Sequence, residues 1–97
     1  MLMHLKQIED YKKIVATNLD SVYYSALAVG KCFRRQGNGS FIATGSISGY
    51  IVNLPRLQAA YNATKAAVIH YCRCLAVEWA GFARVNSVSP GACMTIF

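Results

Sequence analysis

Tyr61 and Lys65 stand four residues apart, at the head of a long apolar run that follows a serine-rich turn. On a helix, positions i and i+4 share a face, so the phenol and the ammonium would project into the same space. A nearby cation favours the phenolate form of a tyrosine. The pair therefore predicts a phenol that exchanges a proton near neutral pH, which the interconversion of a carbonyl and an alcohol requires.

A long amphipathic helix is predicted from about residue 7 to residue 36. Apolar residues recur there at spacings of three and four, and the Gly37-Asn38-Gly39 turn follows. Asn18 lies in the middle of this helix, where its side chain competes with the backbone for hydrogen bonds. Taken alone, Asn18 is typical of a solvent-facing helix position. Only its occurrence together with the serines, Tyr61 and Lys65 makes it a candidate functional residue.

A strand, a helix and a second strand are predicted for the rest of the chain. Ser40 to Thr44 is short, apolar and β-branched at intervals, as expected of a buried strand, and residues 45–57 form a loop. A helix with little polar surface runs from residue 57 or 58 to 79, and residues 83–88 form the second strand. This order predicts the α/β class, with parallel strands joined by a right-handed crossover.

Polar residues follow both predicted strands. Ser46 and Ser48 come after the first strand, and Pro90-Gly91, with Thr95 further on, comes after the second. The carboxyl ends of adjacent parallel strands converge on one crevice, where α/β sheets bind ligands. These residues are therefore expected to lie near Tyr61 and Lys65.

Composition and charge limit the classes of protein to consider. The 97 residues make at most one domain, and 55% hydrophobic against 14% charged residues excludes a disordered chain. The basic residues behind the net charge of +6 are scattered without a nucleic-acid motif, so no nucleic-acid partner is expected. No signal peptide and no membrane-spanning segment are recognised, which favours a cytoplasmic location.

The four cysteines show neither a disulfide framework nor a zinc site. Cys72-Arg73-Cys74 has the wrong spacing for a metal knuckle, and no other Cys or His pair mirrors it. Buried thiols in a reducing compartment are the favoured interpretation, and no metal is expected.

Four stretches, taken together, resemble the classical short-chain dehydrogenase/reductases. They follow the order and approximate spacing of that family across nearly the whole chain: residues 18–23, 39–49, 61–68 and 84–91. Residues 58–63 and 75–79 are most similar to the fungal sorbose-reductase and mannitol-dehydrogenase branch. The resemblance implies a partial Rossmann-like, doubly wound parallel sheet that lacks the N-terminal nucleotide-binding half.

The resemblance also implies a role for each residue of the site. Tyr61 would give a proton to the substrate oxygen in carbonyl reduction, while Lys65 would stabilise the phenolate and hold the nicotinamide ribose. Ser46 would hydrogen-bond the substrate oxygen. Asn18 would kink its helix and hold a water that links Lys65 to solvent. The positions that match cofactor contacts are Tyr61, Lys65, Gly91, Cys93 and Thr95.

The choice between Ser46 and Ser48 as catalytic serine stays open. Ser46 stands three residues before Gly49, as the family serine does, and its distance from Asn18 suits the family pattern better. Its distance to Tyr61 is longer than is common, and Ser48 fits that distance better. A two-residue extension within residues 50–55 would explain the difference, so Ser46 is preferred.

The glycine-rich turn that binds the pyrophosphate of the cofactor is missing from the sequence. Residues 44–49 imitate its start, but Ile51 stands where the next glycine is required. The chain is therefore interpreted as one partial catalytic segment, residues 1–97, of marginal stability alone. The branch favours NADP, with NAD as the alternative.

Two functions of different class are consistent with this interpretation. In the first, the chain belongs to an NADP(H)-dependent oxidoreductase that interconverts a ketone and a secondary alcohol of sugar, polyol or secondary-metabolite type. In the second, it is a truncated, catalytically inactive remnant that acts as an interaction fragment. In both, the resemblance implies association through the two long helices, as a homo-oligomer or with a full-length relative.

Overall fold

A computed structural model describes residues 2–54 and 58–91 of the chain. The elements follow the predicted order of helix, strand, helix and strand: α1 (Leu2–Val15), a π-helical segment (Ala16–Asp20), α2 (Ser21–Gln36), β1 (Ser40–Thr44), a 3₁₀ turn (Ile47–Gly49), α3 (Ala59–Glu78) and β2 (Arg84–Val88). The predicted α/β class is confirmed. The first helix begins earlier than predicted, at Leu2, and changes to π geometry partway along.

The π-helical segment depends on the side chain of Ser21. The Ser21 backbone N–H bonds to the carbonyl of Ala16, five residues earlier, instead of to the carbonyl of Thr17. The Ser21 hydroxyl donates to that Thr17 carbonyl, so the oxygen keeps a partner. The backbone dihedrals stay helical at both junctions, so α1, the π segment and α2 follow one another without a break in the helical backbone.

The two strands form a parallel sheet in which Ser40 pairs with Arg84 and Thr44 with Val88. Parallel strands need a crossover, which here is the 3₁₀ turn followed by α3. Gly37 ends α2 with a left-handed φ of 82° and donates its N–H to the carbonyl of Phe33. A glycine takes this conformation without the steric cost that other residues incur, and the chain can then turn into β1.

The densest apolar packing lies at the end of the sheet where both strands begin. The Trp79 ring lies 5.7–6.1 Å, between ring centroids, from the rings of three phenylalanines, and only 9% of Trp79 is exposed. We call this group the aromatic end: Phe33, Phe41, Trp79 and Phe82. Trp79 belongs to the hydrophobic core.

Only one face of the sheet is covered within the described residues. Ala43 and Val85 are buried against the helices, whereas Ile42 is 62% exposed and Val88 is 54% exposed. Alternate residues of a strand point to opposite faces, so these exposures mark one packed and one open face. The prediction of a strand buried on both faces is therefore wrong for β1 in this chain.

The cysteines differ in exposure. Cys72 is buried in the core, but Cys32 and Cys74 are exposed, which corrects the expectation of buried thiols. Both exposed residues lie on helices, Cys32 on α2 and Cys74 on α3, and composition does not reveal which positions of a helix are exposed. Among the described helices, none is both long enough and apolar enough to cross a membrane.

Candidate active site

Lys65 places its ammonium group where β1 ends. Its Nζ donates a hydrogen bond of 3.2 Å to the Thr44 carbonyl, the last of the strand. The same nitrogen lies 5.7 Å from the centroid of the Tyr61 ring. Both residues sit in the first two turns of α3, one turn apart. The phenol ring and the cation are therefore neighbours at the carboxyl end of the sheet.

Asn18 reaches this site through a residue that the sequence analysis did not single out. The Asn18 Nδ2 donates to the Thr64 Oγ1 at 3.1 Å, and that hydroxyl donates to the Tyr61 backbone carbonyl at 2.8 Å. Thr64 is only 4% exposed. The signal that could have identified Thr64 is a hydroxyl-bearing residue between Tyr61 and Lys65, next to Lys65 in the chain.

A cavity of about 320 Å³ lies between the π segment and β1. Lys65 and Asn18 form part of its wall, together with Thr17, Ser21, Ser25 and Thr44. Side-chain hydroxyls, an amide and an ammonium thus share one open space. A polar, roomy cavity of this kind can hold water bound to several partners.

Both candidate serines are buried in the loop after β1. Ser46 has an extended backbone and caps the 3₁₀ turn: its Oγ accepts the Ser48 N–H at 3.1 Å. The Ser48 Oγ accepts from the Gln58 Nε2 at 3.4 Å. Since each oxygen acts as an acceptor in these bonds, each serine keeps its own O–H hydrogen for another partner.

The serine loop lies directly on α3 because Gly49 has no side chain. A Cβ on Gly49 would lie 3.0 Å from the Lys65 carbonyl carbon and 3.0 Å from the Ala66 nitrogen, both backbone atoms that cannot move aside. Backbone bonds from Gly45 to Val88 (2.7 Å) and from Ile47 to Pro90 (3.3 Å) tie the loop to the end of β2. The serine loop, the Tyr61–Lys65 turn and the Pro90 turn thus meet at the carboxyl end of the sheet.

We call this group of residues the polar end: Asn18, Ser46, Tyr61, Thr64 and Lys65. Hydrogen bonds and ring contact link Asn18, Tyr61, Thr64 and Lys65, and backbone packing brings in the serine loop. In residues 2–54 and 58–91, no hydrogen bond joins either serine to the Tyr61 hydroxyl.

Gln58 forms a second polar cluster that sequence reasoning missed. Its Nε2 lies within 3.3–3.4 Å of oxygens on Ser48, Asn53 and Asn62. Asn62 in turn donates to the Ile51 carbonyl at 3.3 Å. The cluster fastens the loop to the start of α3 beside a cavity of about 440 Å³. Three amide residues close together around residue 58 were the available signal.

The described residues fit a nicotinamide cofactor at its nicotinamide-ribose end and not at its pyrophosphate. The Lys65 ammonium can donate to ribose hydroxyls, and Gly91 lies exposed beyond β2. Cys93 and Thr95, the other predicted cofactor contacts, lie outside the described residues. The segment from Gly45 to Gly49 packs on α3 as a short 3₁₀ turn, so it does not offer the amides of a long helix N-terminus to a pyrophosphate.

Tyr71 and Cys72 lie in the C-terminal half of α3, away from Tyr61 and Lys65. Burial, followed by the charges on Tyr23, Glu78 and Cys72, raises the pKa of the Tyr71 hydroxyl. Burial also raises the pKa of the Cys72 thiol. A raised pKa keeps both groups protonated, which agrees with packing roles for them.

The chain is a parallel α/β segment that brings a tyrosine, a lysine and two serines to the carboxyl ends of its strands, with an asparagine of the π segment beside them. This is the arrangement whose sequence resembles the short-chain dehydrogenase/reductases. The chain belongs to the short-chain dehydrogenase/reductase family. The family model described as "Enoyl-(Acyl carrier protein) reductase" matches residues 2–97.

Two similar proteins are named as a dehydrogenase and a reductase. "Probable NADP-dependent mannitol dehydrogenase" of Yarrowia lipolytica is 58% identical over 83 residues, which cover 86% of this chain and 30% of that protein. "Sorbose reductase sou1" of Schizosaccharomyces pombe is 57% identical over 86 residues, covering 89% of this chain and 34% of that protein.

A solved structure shows the same fold. The NADPH-dependent 3-quinuclidinone reductase of Rhodotorula rubra is 54% identical, with a TM-score of 0.84, and the match covers 86% of this chain and 31% of that one. The chain thus spans about a third of the length of the relatives it matches. Similarity to the fungal sorbose-reductase and mannitol-dehydrogenase branch agrees with the sequence analysis.

Proposed function

We propose that this chain carries the catalytic wall of an NADP(H)-dependent oxidoreductase that interconverts a ketone and a secondary alcohol of the sugar or polyol class. One observation carries the proposal: Lys65 holds its ammonium beside the Tyr61 ring at the carboxyl end of β1, on a turn that Thr64 ties to Asn18. Family membership supports the oxidoreductase class.

In this proposal Tyr61 is the general acid of carbonyl reduction. Its O–H proton passes to the substrate oxygen, and a C–O–H group forms as the carbonyl π bond breaks. The Lys65 ammonium stabilises the phenolate that remains, since the opposite charge lies one helical turn away. In the direction of alcohol oxidation, the phenolate takes the hydroxyl proton back.

Ser46 and Asn18 have supporting roles in the proposal. The Ser46 O–H donates to the substrate oxygen and opposes the negative charge that develops there. Asn18, on the wall of the cavity that Lys65 also lines, holds a water that returns a proton to Tyr61 by way of Lys65. Ser48, held by Gln58, positions the loop.

The cofactor assignment is NADP, with NAD as the alternative. When bound, the nicotinamide group supplies the hydride. Lys65, together with Tyr61, Gly91, Cys93 and Thr95, would hold its ribose and nicotinamide. The names of the mannitol dehydrogenase and the 3-quinuclidinone reductase support NADP, because they specify NADP and NADPH.

The test is a fluorescence titration of the purified chain with NADPH, followed by an assay of NADPH oxidation with ketoses and with 3-quinuclidinone. Saturable binding and turnover are expected. Tyr61→Phe should reduce turnover about 10²- to 10⁴-fold, the usual contribution of a general acid. Tyr24→Phe, a change on an exposed ring of α2, is the matched control and should leave turnover intact. Unchanged turnover in Tyr61→Phe would remove Tyr61 from its role.

A second candidate function is that of an interaction fragment. A groove of about 490 Å³ between α2 and α3 favours it; the groove is lined by residues that include Tyr23, Leu27, Tyr71 and Trp79. Tyr23 is 46% exposed and Leu27 is 50% exposed, so the groove offers apolar area. The occupant we propose is the same pair of helices from a second copy or a longer relative. Light scattering on the titrated samples separates the two candidate functions. Self-association without NADPH binding supports the interaction fragment.

A further inference from the structure

Thr64 has an unusual position for a residue with no assigned role. Its hydroxyl oxygen accepts from the Asn18 amide at 3.1 Å and donates to the Tyr61 carbonyl at 2.8 Å. The first partner is 46 residues away in the chain, on a different helix. At 4% exposure, the hydroxyl has little access to water as a replacement partner.

The chemistry of a hydroxyl makes this arrangement specific. A threonine offers one hydrogen and two lone pairs, and here the hydrogen goes to Tyr61 while a lone pair takes the Asn18 amide. A buried polar group left without its partner costs more free energy than the paired bond contributes. Any displacement of the π segment from the first turns of α3 would break at least one of these bonds.

We propose that Thr64 is a positioning residue of the site: its hydroxyl holds the Asn18 amide and the Tyr61 backbone at a fixed separation. Asn18 and Lys65 line the same cavity, and Tyr61 lies beside Lys65, so this separation sets the distance between the proton donor and the water-holding wall. The proposal rests on the proposed function for its catalytic meaning. Its structural part, the coupling of Asn18 to Tyr61 through one hydroxyl, stands on the geometry alone.

Two substitutions at Thr64 separate the hydroxyl from the shape of the side chain. Thr64→Val keeps the β-branched shape and removes the hydroxyl, whereas Thr64→Ser keeps the hydroxyl and removes the methyl group. The first readout needs no cofactor: NMR of the labelled chain follows the backbone amide exchange of Lys65 and the ring shifts of Tyr61. Thr64→Val should speed exchange about two- to tenfold, the range for one lost hydrogen bond, and should shift the Tyr61 ring. Thr64→Ser should restore both values.

The second readout is turnover. Thr64→Val should lower kcat about two- to tenfold with KM little changed, because the hydroxyl touches no substrate, and Thr64→Ser should recover the loss. In an Asn18→Ala background, Thr64→Val should cost much less, since one of its partners has gone. Equal effects of the valine and serine variants, or none from either, would overturn the proposal.

Circular dichroism checks whether Thr64→Val folds. If it does not, Asn18→Ala replaces it as the test variant. Asn18 has no direct bond to the Tyr61 side chain in the described residues, and its two routes to that ring run through Thr64 and through Lys65 at the shared cavity. Asn18→Ala is therefore measured in a Lys65→Met background, where a change of the Tyr61 ring shifts reports the route through Thr64. Unchanged Tyr61 shifts would overturn the proposal. An inactive wild-type chain would count against the proposed function, while the NMR readout would still decide the coupling.

Discussion

The aromatic end and the polar end lie at opposite ends of the strands of the same two-stranded sheet. At the aromatic end both strands begin, and Trp79 packs among three phenylalanine rings with almost no exposed surface. At the polar end both strands finish, and side-chain hydrogen bonds replace ring packing. The helices run from one end to the other, so each contributes its last turns to packing and its π segment or first turns to the site.

The difference teaches where stability and chemistry reside in this chain. Apolar contacts at the aromatic end exclude water and contribute free energy in proportion to buried area. Under the proposed function, groups at the polar end exchange protons, and they keep hydrogen-bonding capacity and access to a cavity. Changes at the aromatic end should therefore alter the free energy of unfolding, and changes at the polar end should alter turnover.

The largest effect is expected from Trp79→Ala. Removing the central ring leaves a cavity among three phenylalanines and should lower the free energy of unfolding by about 3–5 kcal/mol. Urea denaturation followed by far-UV circular dichroism measures the loss. Val77→Ala, two residues earlier on α3 and 78% exposed, is the control and should change stability little. Similar losses in both variants would show that the aromatic end is not the stable region.

A smaller effect, confined to chemistry, is expected from Ser46→Ala. Loss of the hydroxyl that opposes the developing charge should reduce kcat about 10²-fold, in the range measured for such donors. The urea midpoint should move little, because the hydroxyl caps only a three-residue 3₁₀ turn. Ser48→Ala is the matched variant on the same loop and should retain most activity. The reverse pattern would assign the catalytic role to Ser48.

The smallest effect concerns the buried thiol. Burial raises the pKa of Cys72, so near pH 8 it stays protonated, and alkylation with iodoacetamide should modify the exposed Cys32 and Cys74 first. The raised pKa also means that the contribution of Cys72 to stability is present at lower pH and declines as pH rises through the thiol range. Peptide mapping by mass spectrometry measures the order in which the cysteines are alkylated. Trp79→Ala should expose Cys72 to alkylation, and equal rates for Cys32, Cys72 and Cys74 in the wild type would contradict the burial of Cys72.

Much of the scaffold can be predicted from periodicity. Spacings of three and four indicate the first helix, and a long run with little polar surface indicates the second. The short β-branched segment predicts β1 with the bounds that the structure has. The π segment could not be predicted, because it depends on which carbonyl the Ser21 hydroxyl takes. The open face of the sheet also escaped prediction, since an apolar residue such as Ile42 has the same type whether it is covered or exposed.

The sequence by itself determined the local part of this protein: a phenol and an ammonium one helical turn apart, serines after a strand, and an asparagine within a helix. Those relations follow from backbone geometry, which repeats every few residues. Only the tertiary structure decided that Thr64 joins Asn18 to Tyr61, that Gln58 fastens the serine loop, and that Cys72 alone of the three described thiols is buried. Such contacts join residues distant in the chain, and they depend on how helices and strands pack rather than on local spacing.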